Sequence, residues 1–272
     1  MSAGDRDPIP RVLSIAGTDP TGGAGIQADL KTFAALGVFG ASAITALTAQ
    51  NTTGVRDVHA VPVANVVAQV EAVLDDLDVR AVKTGMLATA EVVHAVARLA
   101  DRLPHLVVDP VMIASSGARL LEQAAEHAYV DALLPRAAVL TPNLHEAQVL
   151  LGASITTLAE QREAARALGD LGPRAVLVKG GHTVDGTGDE AVDVLWDGVQ
   201  LLELRAPRVA GTNDHGTGCS LASAIAAGLA KGDGLVDAVA TAKAYVARAL
   251  AGGATWRLGR GHGPLDHFGW SG

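Results

Sequence analysis

Ala138-Val139-Leu140-Thr141-Pro142-Asn143-Leu144-His145-Glu146-Ala147-Gln148-Val149-Leu150-Leu151 decides the fold class: a short apolar run ends in polar punctuation and passes directly into a helix-forming segment. The spacing predicts a buried strand over 138–141 and a helix over 144–151. The same pattern recurs along the chain. Strands are expected over 12–16, 41–45, 80–84, 106–109 and 175–179, and helices over 24–36, 63–77, 90–102, 123–133, 158–168, 218–230 and 235–251. Such alternation implies βαβ units around a mostly parallel sheet. The exception is Asp197-Gly198, between apolar runs over 191–196 and 199–204, which signals an antiparallel edge hairpin.

Composition narrows the function classes. The chain has 272 residues and a net charge of −8, with no basic stripe, so nucleic acid and anionic membranes are poor partners and a small molecule is favoured. A single cysteine excludes an internal disulfide framework and fits a reducing, cytoplasmic compartment. Asp5, Arg6 and Asp7 argue against a signal peptide. Residues 1–10 read as a flexible tail and 11–272 as one domain. Between Lys31 and Arg56 the chain is uncharged, but Gly37, Gly40, Gln50 and Asn51 interrupt it, which fits a helix-to-strand passage better than a membrane span. With three Trp, two Tyr and three Phe, the core must be packed from Ala, Val, Leu and Ile.

The polar punctuation after each expected strand falls at one rim. Gly17-Thr18-Asp19, Lys83-Thr84-Gly85-Met86, Asp109-Pro110-Val111-Met112, Thr141 to Glu146 and Lys179-Gly180-Gly181-His182 all lie at strand carboxyl ends, where parallel α/β sheets bind ligands. A further loop, Asn213-Asp214-His215-Gly216-Thr217-Gly218-Cys219, opens the alanine-rich helix. Its glycines let the backbone aim N–H groups and the positive end of the helix dipole at an anion, in a place that favours the Cys219 thiolate. Asp109 and Glu146 suit magnesium, Lys179 phosphate oxygens, and the glycine loop a transferring phosphoryl group. Each residue has a structural reading beside the functional one. Cys219 serves as a small buried hydrophobe, Asp109 ends a strand, Glu146 answers a helix dipole, and Lys179 is a solvated strand end. No P-loop, protein-kinase or dinucleotide-binding signature appears.

Taken together, Gly216-Thr217-Gly218-Cys219, Asn143 with Glu146, Asp109-Pro110-Val111-Met112, Val178 to His182, Thr48 to Thr52, Lys83 to Met86, Gly261-His262-Gly263-Pro264 and the run Ala16 to Lys31 resemble the hydroxymethylpyrimidine/phosphomethylpyrimidine kinases of thiamine biosynthesis, in the ribokinase superfamily. The resemblance spans 11–268 and implies a three-layer α/β/α sandwich, commonly a homodimer, that uses ATP and Mg2+. The implied reaction phosphorylates 4-amino-5-hydroxymethyl-2-methylpyrimidine and then its monophosphate. Cys219 would stand where sugar-kinase relatives carry an aspartate base, with Gly216, Thr217 and Gly218 as the anion hole. Lys179, Asn143, Glu146, Asp109 and Thr217 would face ATP and its metal. Gln50, Asp29, Gly17, Ala24, Met86 and Val111 would line the pyrimidine pocket. A carboxamide at Gln50 also complements an aminopyrimidine edge on chemical grounds, with a glutamine on a polar loop before Asn51 as the structural alternative. The chain departs from the family pattern at Asp214, Ser115 and His145, and Asp214 would put a negative charge near the anion hole. The alternatives are a pyridoxine or pyridoxal kinase and a non-catalytic pyrimidine sensor.

Overall fold

The computed structural model describes residues 9–112, 123–181, 184–185 and 187–271. Most of the N-terminal tail, together with Ser115 and His182 named above, lies outside them. The strands are β1 (Arg11–Ala16), β2 (Phe39–Ile44), β3 (Ala46–Asn51), β4 (Gly54–Ala60), β5 (Ala81–Thr84), β6 (Val107–Val108), β7 (Val139–Leu140), β8 (Val176–Val178), β9 (Glu190–Trp196) and β10 (Leu201–Pro207). The helices are α1 (Gly25–Ala35), α2 (Val63–Asp76), α3 (Ala90–Arg98), α4 (Gln123–Ala128), α5 (Leu144–Leu151), α6 (Leu158–Gly169), α7 (Thr217–Lys231) and α8 (Leu235–Gly253).

One sheet runs β10-β9-β8-β7-β6-β5-β1-β2, parallel except where β9 pairs antiparallel with β8 and β10. Successive side chains on a strand point to opposite faces, so each central strand supplies both cores. Leu13, Val82, Val108, Leu140 and Val176 face α2 to α6, whereas Val12, Ala81, Val107, Val139 and Leu177 face α1, α7 and α8. The shortage of aromatics is met by close helix packing. Every residue of α7 from Ser220 to Ala230 is buried, and a Cβ on Gly228 would sit 2.8 Å from that of Ala238 on α8.

The three-layer sandwich and its edge hairpin match the sequence expectation, with three corrections. The helix expected over 90–102 ends at Arg98 and is followed by a separate 3-10 turn, Ala100–Arg102, while the one over 123–133 widens into a π-helical turn at Tyr129–Leu133. More consequential is the segment after Thr45. The polar loop read around Gln50 is a strand, β3, paired with β4 in a separate two-stranded sheet with a register shift between Ala49 and Gln50. Both strands are largely solvent-facing, so they carry no apolar alternation to read.

Candidate active site

The rim at the sheet's carboxyl edge brings most of the expected residues together. Asp109 leaves β6 and Lys179 follows β8, and the Lys179 Nζ lies 2.7 Å from Asp109 Oδ1 and 3.9 Å from Glu146 Oε2. All three side chains are buried. Thr141 Oγ1 donates to the same Asp109 oxygen at 3.2 Å. Glu146 also meets its structural reading. It closes a capping box on α5, accepting from the Asn143 N–H at 2.8 Å while Asn143 Oδ1 accepts from the Glu146 N–H at 2.8 Å. Burial raises the Glu146 carboxyl above the usual range; Lys179 opposes the rise and Asp109 adds to it. Burial works against the Lys179 ammonium, but Asp109 and Glu146 more than offset it and hold it charged.

The glycine loop closes over this group. Gly216 has φ +86°, and a Cβ there would lie 1.9 Å from the Gly23 carbonyl oxygen, so both conformation and space require glycine. Gly218 makes a tight approach: a Cβ would come within 3.0 Å of Lys179 Nζ and 3.8 Å of Asp109 Oδ2, so a larger residue would press on the lysine ammonium. Thr217 Oγ1 and N–H turn back onto the Asp214 carbonyl. The N–H groups of Gly218 and Cys219, in the first turn of α7, have no carbonyl of their own helix to donate to.

Cys219 departs from expectation. Burial pushes its thiol up to about 11; Lys83 and the Gly25 N–H lower it, and Asp29 and Asp109 raise it. Desolvation thus outweighs the pull of Lys83 and the Gly25 N–H, and the resting group is a neutral thiol rather than a favoured thiolate.

On the acceptor side, Ala46, Met86, Ala88 and Val111 form a small apolar cluster. Gly17 packs on it so tightly that a Cβ would meet Met86 Cε at 2.2 Å. Half-buried Gln50 stands on β3, which is tied to the rim because Thr48 N–H donates to Thr18 Oγ1 and Thr18 N–H to the Ala46 carbonyl. Ala24 caps α1 where it abuts Gly216.

Asp29 does not line this pocket. Its fully buried carboxylate accepts both hydrogen bonds from Lys83 Nζ, at 2.8 and 2.9 Å, and one each from Ser14 and Ser223. Lys83 sits equally buried beneath the rim with its pKa raised: burial opposes its charge, and Asp29 foremost sustains it. Sequence reading quoted Lys83 only as part of a motif. A lysine inside an apolar four-residue strand was the available signal for a buried partner. Ala46, Ala88 and Thr45, whose hydroxyl holds the Met86 carbonyl at 2.6 Å, were also missed. Asp214, its charge expected near the anion hole, is engaged by His262, whose Nδ1 lies 2.7 Å from Asp214 Oδ1.

The model of one protein family, phosphomethylpyrimidine kinase, matches residues 19–266. The chain belongs to the phosphomethylpyrimidine kinase family. It is 52% identical to the hydroxymethylpyrimidine/phosphomethylpyrimidine kinase of Rhizobium meliloti, covering 94% of this chain and 96% of that protein. Among solved structures it resembles the phosphomethylpyrimidine kinase of Clostridium difficile, at 41% identity and TM-score 0.78 over 89% of this chain and 99% of that one. It also resembles the pyridoxal kinase of Staphylococcus aureus in complex with AMP-PCP and pyridoxal, at 35% identity and TM-score 0.86 over 96% of this chain and 94% of that one. Among the described residues, no helix is long and apolar enough to cross a membrane.

Proposed function

We propose that this protein transfers the γ-phosphoryl group of ATP to the hydroxymethyl group of 4-amino-5-hydroxymethyl-2-methylpyrimidine, and then a second to the resulting monophosphate. The carrying observation is the close approach of the Gly218 backbone to the Lys179–Asp109 pair at the rim, beside the apolar Met86 cluster and the Gln50 hairpin. Phosphoryl transfer demands position and charge stabilisation more than covalent help from the protein. Lys179 and the loop N–H groups of Gly216 and Gly218 stabilise the charge on the equatorial oxygens, while Asn143, Glu146 and Thr217, whose own N–H is held by the Asp214 carbonyl, face the nucleotide. Gln50 pairs with the aminopyrimidine edge above Gly17, Ala24, Met86 and Val111. Cys219, at the head of α7, faces the acceptor hydroxyl and takes its proton in the thiolate form.

The residues present fit Mg2+. Among the described residues no three His, Cys, Asp or Glu side chains converge into a protein cage, but Asp109 and Glu146 flank Lys179 as a pair of hard oxygen donors. That suits an ion that keeps its waters and is held chiefly by substrate phosphates. Asp109 and Glu146 would hold it, and when bound it supplies charge neutralisation at the phosphates.

Acceptor identity is tested by assaying the purified protein with ATP, Mg2+ and three acceptors: the pyrimidine alcohol, its monophosphate and pyridoxal. The kcat/KM for the pyrimidine alcohol is expected to exceed that for pyridoxal. A ratio below one moves the assignment to pyridoxal kinase, the reading that the likeness to the Staphylococcus aureus enzyme would then fit. ATP turnover unchanged by any acceptor would leave a pyrimidine sensor. The homodimer belongs to the same proposal; exposed Phe39, Leu47 and Val58 on β2, β3 and β4 supply apolar surface for it, and light scattering should return twice 27.6 kDa.

A further inference from the structure

Asp19 and His215 stand 196 residues apart and meet where two glycine loops cross. Asp19 Oδ2 accepts from the N–H of Gly23 at 3.1 Å and of Ala24 at 2.8 Å, and lies 2.8 Å from His215 Nε2. Its Oδ1 accepts from the N–H and hydroxyl of Thr21 at 2.9 and 2.8 Å. The loops interlock sterically as well: a Cβ on Gly23 would meet His215 Cδ2 at 2.7 Å, and one on Gly216 would strike the Gly23 carbonyl. From behind, the His215 N–H donates to the Gly263 carbonyl at 3.1 Å.

Both loops are glycine-rich, and glycine backbones do not hold a distance unaided. One loop bears Ala24 on the acceptor side, and the other bears Gly216 to Cys219 on the phosphoryl side. We propose that the Asp19–His215 pair is a positioning device that sets the spacing between these loops, and so between acceptor oxygen and phosphoryl group. The proposal rests on the kinase reading above. Burial would raise the Asp19 carboxyl, but the His215 and Thr21 bonds outweigh it and hold the group down at about 2. The carboxylate is therefore ionised at neutral pH and its bonds are charge-assisted. Reacting atoms must approach to about 3–3.5 Å, and a misplacement of about 1 Å is enough to lose roughly 10²-fold in rate.

The test compares His215→Leu, His215→Gln, Asp19→Asn and the double variant Asp19→Asn/His215→Leu in the full chain, at a temperature where each is folded by circular dichroism. His215→Leu should lose about 10²-fold in kcat with both KM values within about threefold of wild type. His215→Gln keeps an N–H for Asp19 and should recover to within about tenfold of wild type. Asp19→Asn turns an amide N–H₂ toward N–H donors and should match His215→Leu, with the double variant no worse than the poorer single. If Asp19→Asn does not fold, the Leu and Gln pair decides alone. Near wild-type kcat in His215→Leu, equal losses in Leu and Gln, or a change in KM without one in kcat would overturn the proposal. A wild type that prefers pyridoxal would overturn the acceptor assignment only, and the variants would then be read with pyridoxal.

Discussion

Cys219 shows how one side chain's chemistry turns on its surroundings. With the thiol near 11, only a small fraction is ionised at neutral pH. If the thiolate takes the acceptor proton, kcat/KM should climb close to tenfold per pH unit from 7 to 9; a flat profile would leave the thiol only a hydrogen-bonding or packing role. Cys219→Ala should lower kcat by about 10² or more with acceptor KM nearly unchanged. Lys179→Met removes the cation that both Asp109 and Glu146 face, and kcat is expected to fall by about 10²-fold. A folded Lys179→Met of normal activity would place this lysine outside the chemistry.

At the scale of elements, the site depends on helix starts and on one hairpin. Asn143 caps α5 and, through the same box, aims Glu146 at Lys179, so Asn143→Ala carries two consequences. Losing the cap should cost about 1 kcal/mol of stability by urea unfolding, and the loosened Glu146 should raise the KM for ATP. A stability loss with ATP KM unchanged would make the cap purely structural. The β3–β4 hairpin carries Gln50, and Gln50→Leu leaves the ring's polar groups unpaired, a loss of about 1–3 kcal/mol in acceptor binding. Acceptor KM should therefore rise while ATP KM holds. Sequence reading placed α5 at its observed bounds because its signal is local. It missed β3 and β4 because the inner face of β3 carries Thr48 and Gln50 rather than apolar residues and β4 is mostly exposed, so neither shows an apolar period.

The whole molecule has its own response to pH. Burial, then Lys31, lowers the imidazole of buried His267 to about 4. The unfolded chain takes up that proton from about pH 6.5 downward and the folded one resists until about 4, so His267 withdraws stability as pH falls through this window, by at most about 3 kcal/mol. Glu146, raised by burial, acts in the opposite sense over an overlapping range, because the folded state then binds the proton first. The measurable quantity is thus the difference in urea midpoint between wild type and His267→Gln, which should favour the variant increasingly from pH 7 to 4. A difference that stays constant across that range would assign the His267 effect to packing. Asp19, depressed to about 2, loses its stabilisation only at more acid pH, between about 4 and 2. The sequence by itself determined the mostly parallel sheet, the edge hairpin, the rim and the glycine loop, because strand runs, helix periods and Asp-Gly turns are set by neighbours within a few residues, while the three-layer sandwich followed from the family resemblance. Only tertiary structure decided that Asp29 serves Lys83 rather than a ligand, that Cys219 rests as a thiol, that Asp214 is paired with His262, and that Asp19 joins two loops through His215. Each of these is a matter of desolvation and charge between groups far apart in the chain, and burial is a property of the folded assembly that no local pattern encodes.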